Sequence, residues 1–304
     1  MSIKEKILDI ARRIWGTKGL IEWTKLNLYE TRRYQLIEHI MNDTHHGISE
    51  KRYTDHEIIV SLTTYGKRIY DVAFTIESIM QQSYKPNRIV LWLDYSFENK
   101  TLPEYLLRQQ KRGLEIRFCK DIRSFKKLIP SLYYYPDAAI ITIDDDVLYD
   151  SDILEHLIIP YLTDPQYIYC NRFHKVTFDK KGLPRPYNNW HWCCNDVTPS
   201  HLNFFTGVGG VLYPPHSLDE EVMNESIFMD ICQFADDIWF KVMAIKKGTM
   251  VKKVYSRSAK GEDYIVNENV QDTGLNKQNV NGEALNNKQL KAVLDHYNLY
   301  NMLK

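Results

Sequence analysis

Along this chain of 304 residues the spacing of apolar positions changes near residue 57, and that change organises the rest of the reading. Before it the spacing is helical: Ile7, Leu8, Ala11, Ile14 and Trp15 form one stretch, and Trp23, Tyr34, Ile37 and Ile40 belong to a second. Gly16 and Gly19 are expected to separate the two. Asn42 to His56 is polar, rich in His and reads as a linker, so residues 1–55 form an N-terminal helical extension.

From residue 57 short apolar runs alternate with helix-length segments. Glu57 to Leu62 reads as a strand ending in Thr63-Thr64-Tyr65-Gly66, and Val72, Ile76, Ile79 and Met80 share one face of a helix over 69–82. Further strands are expected at Arg88 to Asp94, Glu115 to Cys119 and Ala138 to Ile143, separated by helices at Leu102 to Arg112 and Phe125 to Tyr133. The last of these strands runs straight into Asp144-Asp145-Asp146. Such alternation predicts βαβ units and an α/β fold with a Rossmann-like, mostly parallel sheet flanked by helices. Ligands on these sheets sit outside the carboxyl ends of the strands, where Thr63, Thr64, Asp94 and the Asp triplet fall. The second half is less regular. A helix is expected from Asp236 to Lys247, closed by Gly248, then a short strand at Val251 to Tyr255. Residues 267–287 are Asn-rich and loop-like, and Lys288 to Leu303 forms a last helix, giving a C-terminal loop and helix over 261–304.

Charge narrows the partners. Lys+Arg and Asp+Glu balance at 39 each, so no global field points to nucleic acid, and an anionic ligand must be held by local groups. The five cysteines include the adjacent pair Cys193-Cys194, and neither their odd number nor their spacing suits a disulfide framework or a zinc site. The N-terminus lacks the apolar core of a signal peptide and no apolar run matches a membrane span, so a cytoplasmic setting is expected. Through residue 26 the extension carries six basic and three acidic side chains, which suits either a solvated helix on its own domain or peripheral contact with the inner face of the plasma membrane.

Three consecutive carboxylates after an apolar strand repel one another unless a counter-charge is present. A divalent cation, Mn2+ or Mg2+, relieves that repulsion, and Mg2+ typically takes one or two carboxylates plus phosphate oxygens. If the extended conformation continues, Asp144 and Asp146 point to one side, Asp144 toward ribose or metal-bound water and Asp146 onto the metal. The alternative is an acidic turn capping the next helix. Asp236 and Asp237 open a helix, where Asp is a common cap worth about 1 kcal/mol. From there one carboxylate could also accept the proton of an attacking hydroxyl, if it faces the triplet. Thr63, Thr64, Tyr65 and Arg68 could embrace a nucleotide base and contact its phosphates, and Asp94 could accept from a base or ribose donor. Lys126 and Lys127 precede the fourth strand and could reach a base or a phosphate, but each reads first as a solvated lysine. The segment Phe205-Thr206-Gly207-Val208-Gly209-Gly210 lacks dinucleotide-binding spacing but would let backbone approach a sugar or pyrophosphate. Trp190 and Trp192 are candidates to stack on an acceptor sugar, with at least one expected in the core.

Taken together, these motifs resemble the family-2-like glycosyltransferases of the GT-A fold, especially bacterial enzymes of surface-polysaccharide assembly. The resemblance rests on Ile59-Val60-Ser61-Leu62-Thr63-Thr64-Tyr65, Ile79-Met80-Gln81-Gln82-Ser83, Leu91-Trp92-Leu93-Asp94, Ile141-Thr142-Ile143-Asp144-Asp145-Asp146 and Ala235-Asp236-Asp237, and spans residues 57–248. It implies a GT-A-like domain over 56–260. Thr63, Tyr65 and Asp94 would line the nucleotide pocket, Asp144 and Asp146 would form the metal-binding D-x-D pair, and Asp237 would be the general base. Asp236 stands where the family usually has Glu, and the first strand lacks the commoner proline. The implied reaction is an inverting transfer from a nucleotide-sugar donor, usually a UDP-sugar, to a glycan or lipid-linked acceptor. A metal-dependent nucleotidyltransferase, a glycoside hydrolase and a non-catalytic sugar- or nucleotide-binding module are the rival readings.

Overall fold

The computed structural model describes residues 3–258, 262–273 and 285–303. The chain opens with helix α1 (Ile3–Asn42), which leaves helical geometry at Gly16 (φ 68°, ψ 173°), a backbone conformation that costs glycine little. Gly19 stays helical, so the expected second break is absent; one glycine inside a helix costs only about 1 kcal/mol. The side chains of the first apolar stripe, at 7–15, lie outside the described residues. The later turns of α1 bury Tyr29, Leu36 and Ile40 on the domain that follows.

The strands are β1 (Ile58–Thr63), β2 (Arg88–Asp94), β3 (Leu114–Cys119), β4 (Ala139–Thr142), β5 (Val147–Tyr149), β6 (Ile168–Cys170), β7 (Phe173–Lys175), β8 (Asn203–Phe205), β9 (Val211–Tyr213), β10 (Val251–Lys253) and β11 (Tyr264–Val266). The helices after α1 are α2 (Val72–Met80), α3 (Glu104–Gln110), α4 (Ile129–Tyr134), α5 (Ile153–Thr163), α6 (Glu225–Ile231), α7 (Asp236–Lys247) and α8 (Leu285–Tyr297). Among the described residues, seven strands form one sheet in the order β10-β6-β9-β4-β1-β2-β3. All neighbours are parallel except β9, which runs antiparallel between β4 and β6. The expected α/β fold, a mostly parallel sheet flanked by helices with helical ends, is what the chain forms.

Both faces of the sheet are covered, which is why its strands read as nearly continuous apolar runs. Period-two alternation divides them. Ile58, Val60 and Leu62 join Leu91, Ile141 and the apolar sides of α1, α2 and α5, whereas Ile59, Val90, Trp92 and Ile140 join Phe125 and the residues of α7 and α8. The expected helix at 125–133 is interrupted: a 3-10 turn spans Arg123–Lys127, and α4 starts afresh with Pro130 in its first turn. Proline has no N–H to continue a preceding helix but suits the start of a new one. At the other end α8 stops at Tyr297, Asn298 has a φ of 52°, and Tyr300–Leu303 is a separate 3-10 turn rather than a continuation. The core of the Asn-rich stretch, 274–284, lies outside the described residues.

The linker is tied down. Glu77, fully buried in α2, takes Arg112 Nη1 on both carboxylate oxygens at 2.9 Å, and Arg112 Nε reaches the His45 carbonyl at 2.9 Å. Asn87 Nδ2 donates to the carbonyls of Ser49 and Lys51, each at 3.0 Å. Among the described residues, no helix is long and apolar enough to cross a membrane.

Candidate active site

At the carboxyl edge of β4 the chain stops being a strand after Thr142, turns at Asp145-Asp146 and comes back as β5. Alternation therefore does not govern the triplet, and its members meet different counter-ions. Asp145 is buried (8% exposed) and accepts from Thr64 Oγ1 at 2.6 Å and Arg68 Nη1 at 2.7 Å, while its own carbonyl accepts from Thr75 Oγ1. Burial pushes its carboxyl above the usual range, and Arg68 and Thr64 oppose that shift. Asp146 lies 3.3 Å from the same Arg68 nitrogen. Thr64, Arg68, Asp145 and Asp146 thus form one cluster, linking the end of β1 to the turn after β4. A strand near the C-terminus closes over it: β11 pairs antiparallel with β5, and Asn267 N–H donates to the Asp146 carbonyl at 2.8 Å.

Asp144 faces a second cluster. Lys127 Nζ stands 3.2 Å from Asp144 Oδ1, 2.7 Å from Asp236 Oδ2 and 3.8 Å from Asp237 Oδ1. The two acidic motifs, about ninety positions apart in the chain, therefore share one cation. Asp236 and Asp237 open α7, a rigid point from which both carboxylates are aimed at the end of β4. The Gly207 N–H donates to Asp237 Oδ2 at 2.9 Å, while Oδ1 accepts no hydrogen bond among the described residues. Burial pushes the Asp237 carboxyl up to about 7; Lys127 opposes that shift and the charges of Asp236 and Asp144 add to it. The Lys127 ammonium is held well above its usual range, because the three carboxylates outweigh its burial.

Lys127 is the residue that sequence reasoning misplaced. It and Lys126 are buried, at 6% and 2% exposed, and Lys126 pairs with Asp121. Nothing in a Lys-Lys dipeptide marks one member as central; only the 3-10 turn brings Lys127 under the sheet edge. The glycine loop was picked out for close backbone approach, and the close approach is to this ion cluster. A Cβ on Gly207 would lie 2.7 Å from Lys127 Nζ and 3.2 Å from both Asp144 Oδ1 and Asp237 Oδ1. Gly207→Ala should therefore displace the ammonium and cost at least about tenfold in turnover, with a melting temperature within a few degrees of the parent. Unchanged kinetics would mean the cluster's geometry is not needed.

The other sequence candidates sit around these clusters. Thr63 Oγ1 donates to the Trp92 carbonyl at 2.8 Å, and Asp94 accepts from the Ser96 N–H at 2.9 Å, capping its own turn. Tyr65 is 43% exposed, with the Arg68 guanidinium 5.2 Å from its ring centroid. Trp190 is buried, whereas Trp192 is 43% exposed.

The donor set suits a divalent cation bound together with a ligand. Among the described residues, five carboxylates (Asp144, Asp145, Asp146, Asp236, Asp237) gather around two basic side chains, Arg68 and Lys127. No group of three or more His, Cys, Asp or Glu among the described residues forms a cage, so the protein would give one or two oxygens and phosphates the remainder.

No family model and no curated protein matches the chain. Solved structures do. An inositol-1-phosphate CTP transferase from T. maritima is 13% identical over 66% of this chain and 86% of its own, with a TM-score of 0.40. A CMP:2-keto-3-deoxy-manno-octonic acid synthetase complexed with CTP is 10% identical over 66% and 89%, with a TM-score of 0.37. The mannosyltransferase PcManGT from Pyrobaculum calidifontis, in complex with GDP-Man and Mn2+, is 14% identical over 78% and 67%, with a TM-score of 0.40. Likeness this distant carries no argument about chemistry, and the nucleotides and metal belong to those proteins.

Proposed function

We propose that the chain is a metal-dependent glycosyltransferase with its catalytic unit over 56–260, moving a sugar from a nucleotide diphosphate sugar, with a UDP-sugar the expected donor, to an acceptor hydroxyl with inversion. The observation that carries this reading is the meeting of Asp144 with Asp236 and Asp237 around Lys127, at the edge of the sheet where ligands bind.

Asp237 is the base. Gly207 holds one of its oxygens, the other accepts no hydrogen bond among the described residues, and the side chain keeps 29% of its surface open to an incoming hydroxyl. A carboxyl near 7 exchanges protons at neutral pH, the condition under which a general base works best. Lys127, 2.7 Å from Asp236 and 3.2 Å from Asp144, fixes the start of α7 relative to the triplet. Asp144 and Asp146 would hold the divalent cation, which would supply electrostatic stabilisation of a departing diphosphate. Thr63, Tyr65 and Asp94 would border the base and ribose. We place the reaction in the cytoplasm, in bacterial surface-polysaccharide assembly on a glycan or lipid-linked acceptor.

A screen of nucleotide sugars with Mn2+ and with EDTA tests the reading. One donor class should raise the melting temperature and be hydrolysed slowly, and EDTA should abolish both effects. Release of pyrophosphate from a nucleoside triphosphate and a sugar phosphate, with every nucleotide sugar left intact, would replace transfer of a sugar with transfer of a nucleotidyl group.

A further inference from the structure

Arg172 is a basic group at this edge that the mechanism above leaves unused. It follows β6, and one loop holds both it and the base: Thr206 Oγ1 accepts from Arg172 Nη1 at 3.0 Å, and the next residue, Gly207, donates to Asp237. Gly209 packs so closely on Arg172 that a Cβ there would meet the arginine Cβ at 3.0 Å. Lys127 and Arg68 are each surrounded by carboxylates. Arg172, half-buried, touches the Thr206 hydroxyl and the Cys193 thiol, pairs with no carboxylate among the described residues, and has an Nε without an acceptor. A guanidinium partly removed from water with donors unspent is costly, and an arriving anion relieves that cost.

Its surroundings suggest what carries the anion. His174 stacks on Trp192 with centroids 4.5 Å apart, and Tyr187 meets Trp192 edge-on at 5.3 Å. Burial and the Arg172 charge push the His174 imidazole down to about 3, so this aromatic wall is neutral and Arg172 is its charged member. Trp192 remains 43% exposed. His174 and Tyr187, which feel the Arg172 charge, both touch Trp192, and an aromatic surface near a guanidinium suits a sugar bearing a negative group. Arg172 and the triplet come from different strands, although Tyr264 feels the charges of both Arg172 and Asp144. Arg172 leaves β6, across the antiparallel β9 from β4, whereas the triplet follows β4 and Thr64 and Arg68 follow β1.

We infer that Arg172, with Trp192 and Tyr187, forms an acceptor subsite and that the acceptor sugar carries a carboxylate or phosphate close to its reacting hydroxyl. Calling this sugar the acceptor rests on the transferase reading; the preference for an anionic sugar does not. The test is therefore a binding measurement. The intact protein, Arg172→Gln and Arg172→Lys are titrated by NMR with methyl glucuronide, glucose 6-phosphate, methyl glucoside and inorganic pyrophosphate. At least one of the two charged sugars should bind the parent about tenfold or more tighter than methyl glucoside. Arg172→Gln should erase that preference and Arg172→Lys reduce it, with pyrophosphate binding unchanged in both. If glucuronide binds and phosphate does not, the anion is a carboxylate; the reverse assigns a phosphate. Equal binding of charged and neutral sugars by the parent overturns the inference. So does a loss of pyrophosphate binding in Arg172→Gln matching the loss for the charged sugar, since the anion would then be the donor's diphosphate. Should Arg172→Gln melt early, Arg172→Lys carries the same comparison. A protein that prefers the anionic sugar yet turns over no nucleotide sugar would refute the transferase and leave the subsite standing.

Discussion

Asp237→Asn is expected to lower turnover by about a hundred- to ten-thousand-fold while leaving donor affinity within a few fold. The amide oxygen can still accept from Gly207, so the loop and the start of α7 keep their positions, and only the capacity to take a proton is lost. The pH dependence gives a second measure. With the Asp237 carboxyl at about 7, kcat/KM for the parent should rise through that pH and level off above it, and the residual activity of the variant should lack that limb. Stability should move the other way. The folded state holds this proton more tightly than the unfolded chain does, so the parent loses stability as pH rises from about 4 to about 7. Asp237→Asn should flatten that slope in chemical denaturation. Near-parental turnover in the variant would assign the base elsewhere.

Lys127→Met should cost about 3 kcal/mol or more at pH 7, because it strands Asp236, of which 9% is exposed, beside two further carboxylates with no cation among them. Unlike a simple packing defect, this cost depends on pH. Without the ammonium the carboxylates are protonated more readily, so the deficit should shrink as pH falls toward 5 and be largest above 7. Adding Asp236→Asn to Lys127→Met should recover part of the loss, and the coupling in that double-mutant cycle measures the ion pair. A pH-independent deficit with no recovery would show that Lys127 acts through its methylenes alone.

The sheet was legible because apolar runs and helix-length gaps report period and connection order, which is what a parallel sheet needs. Helix α7 was read closely, from near Asp236 to Lys247 with Gly248 closing it, since acidic start, apolar stripe and glycine stop all agree there. The convergence of the two acidic motifs was a condition of the sequence reading, which put the triplet at a strand end and Asp236-Asp237 at a helix start. Contacts to Lys127 bring Asp144, Asp236 and Asp237 together. The identity of that cation was not foreseen. Lys127 and Arg68 acquire their partners only in three dimensions, and the turn at Asp145-Asp146 broke the alternation on which the reading of the triplet relied. Arg172 escaped for the same reason: among the described residues it pairs with no carboxylate, and an absent partner leaves no trace in a linear pattern. The Trp pair was divided as expected, with Trp190 inside and Trp192 outside.

The pairing of β11 with β5 has a bearing on when the molecule becomes competent. During synthesis every acidic residue of the two clusters emerges before position 262, and the parallel sheet can assemble around them. The backbone brace on the turn, from Asn267 to Asp146, arrives only afterwards. A nascent or nicked chain that stops short of it would possess the sheet and all five carboxylates while the turn carrying Asp146 stayed unbraced. Readiness for chemistry is in this way postponed until translation has passed the sheet.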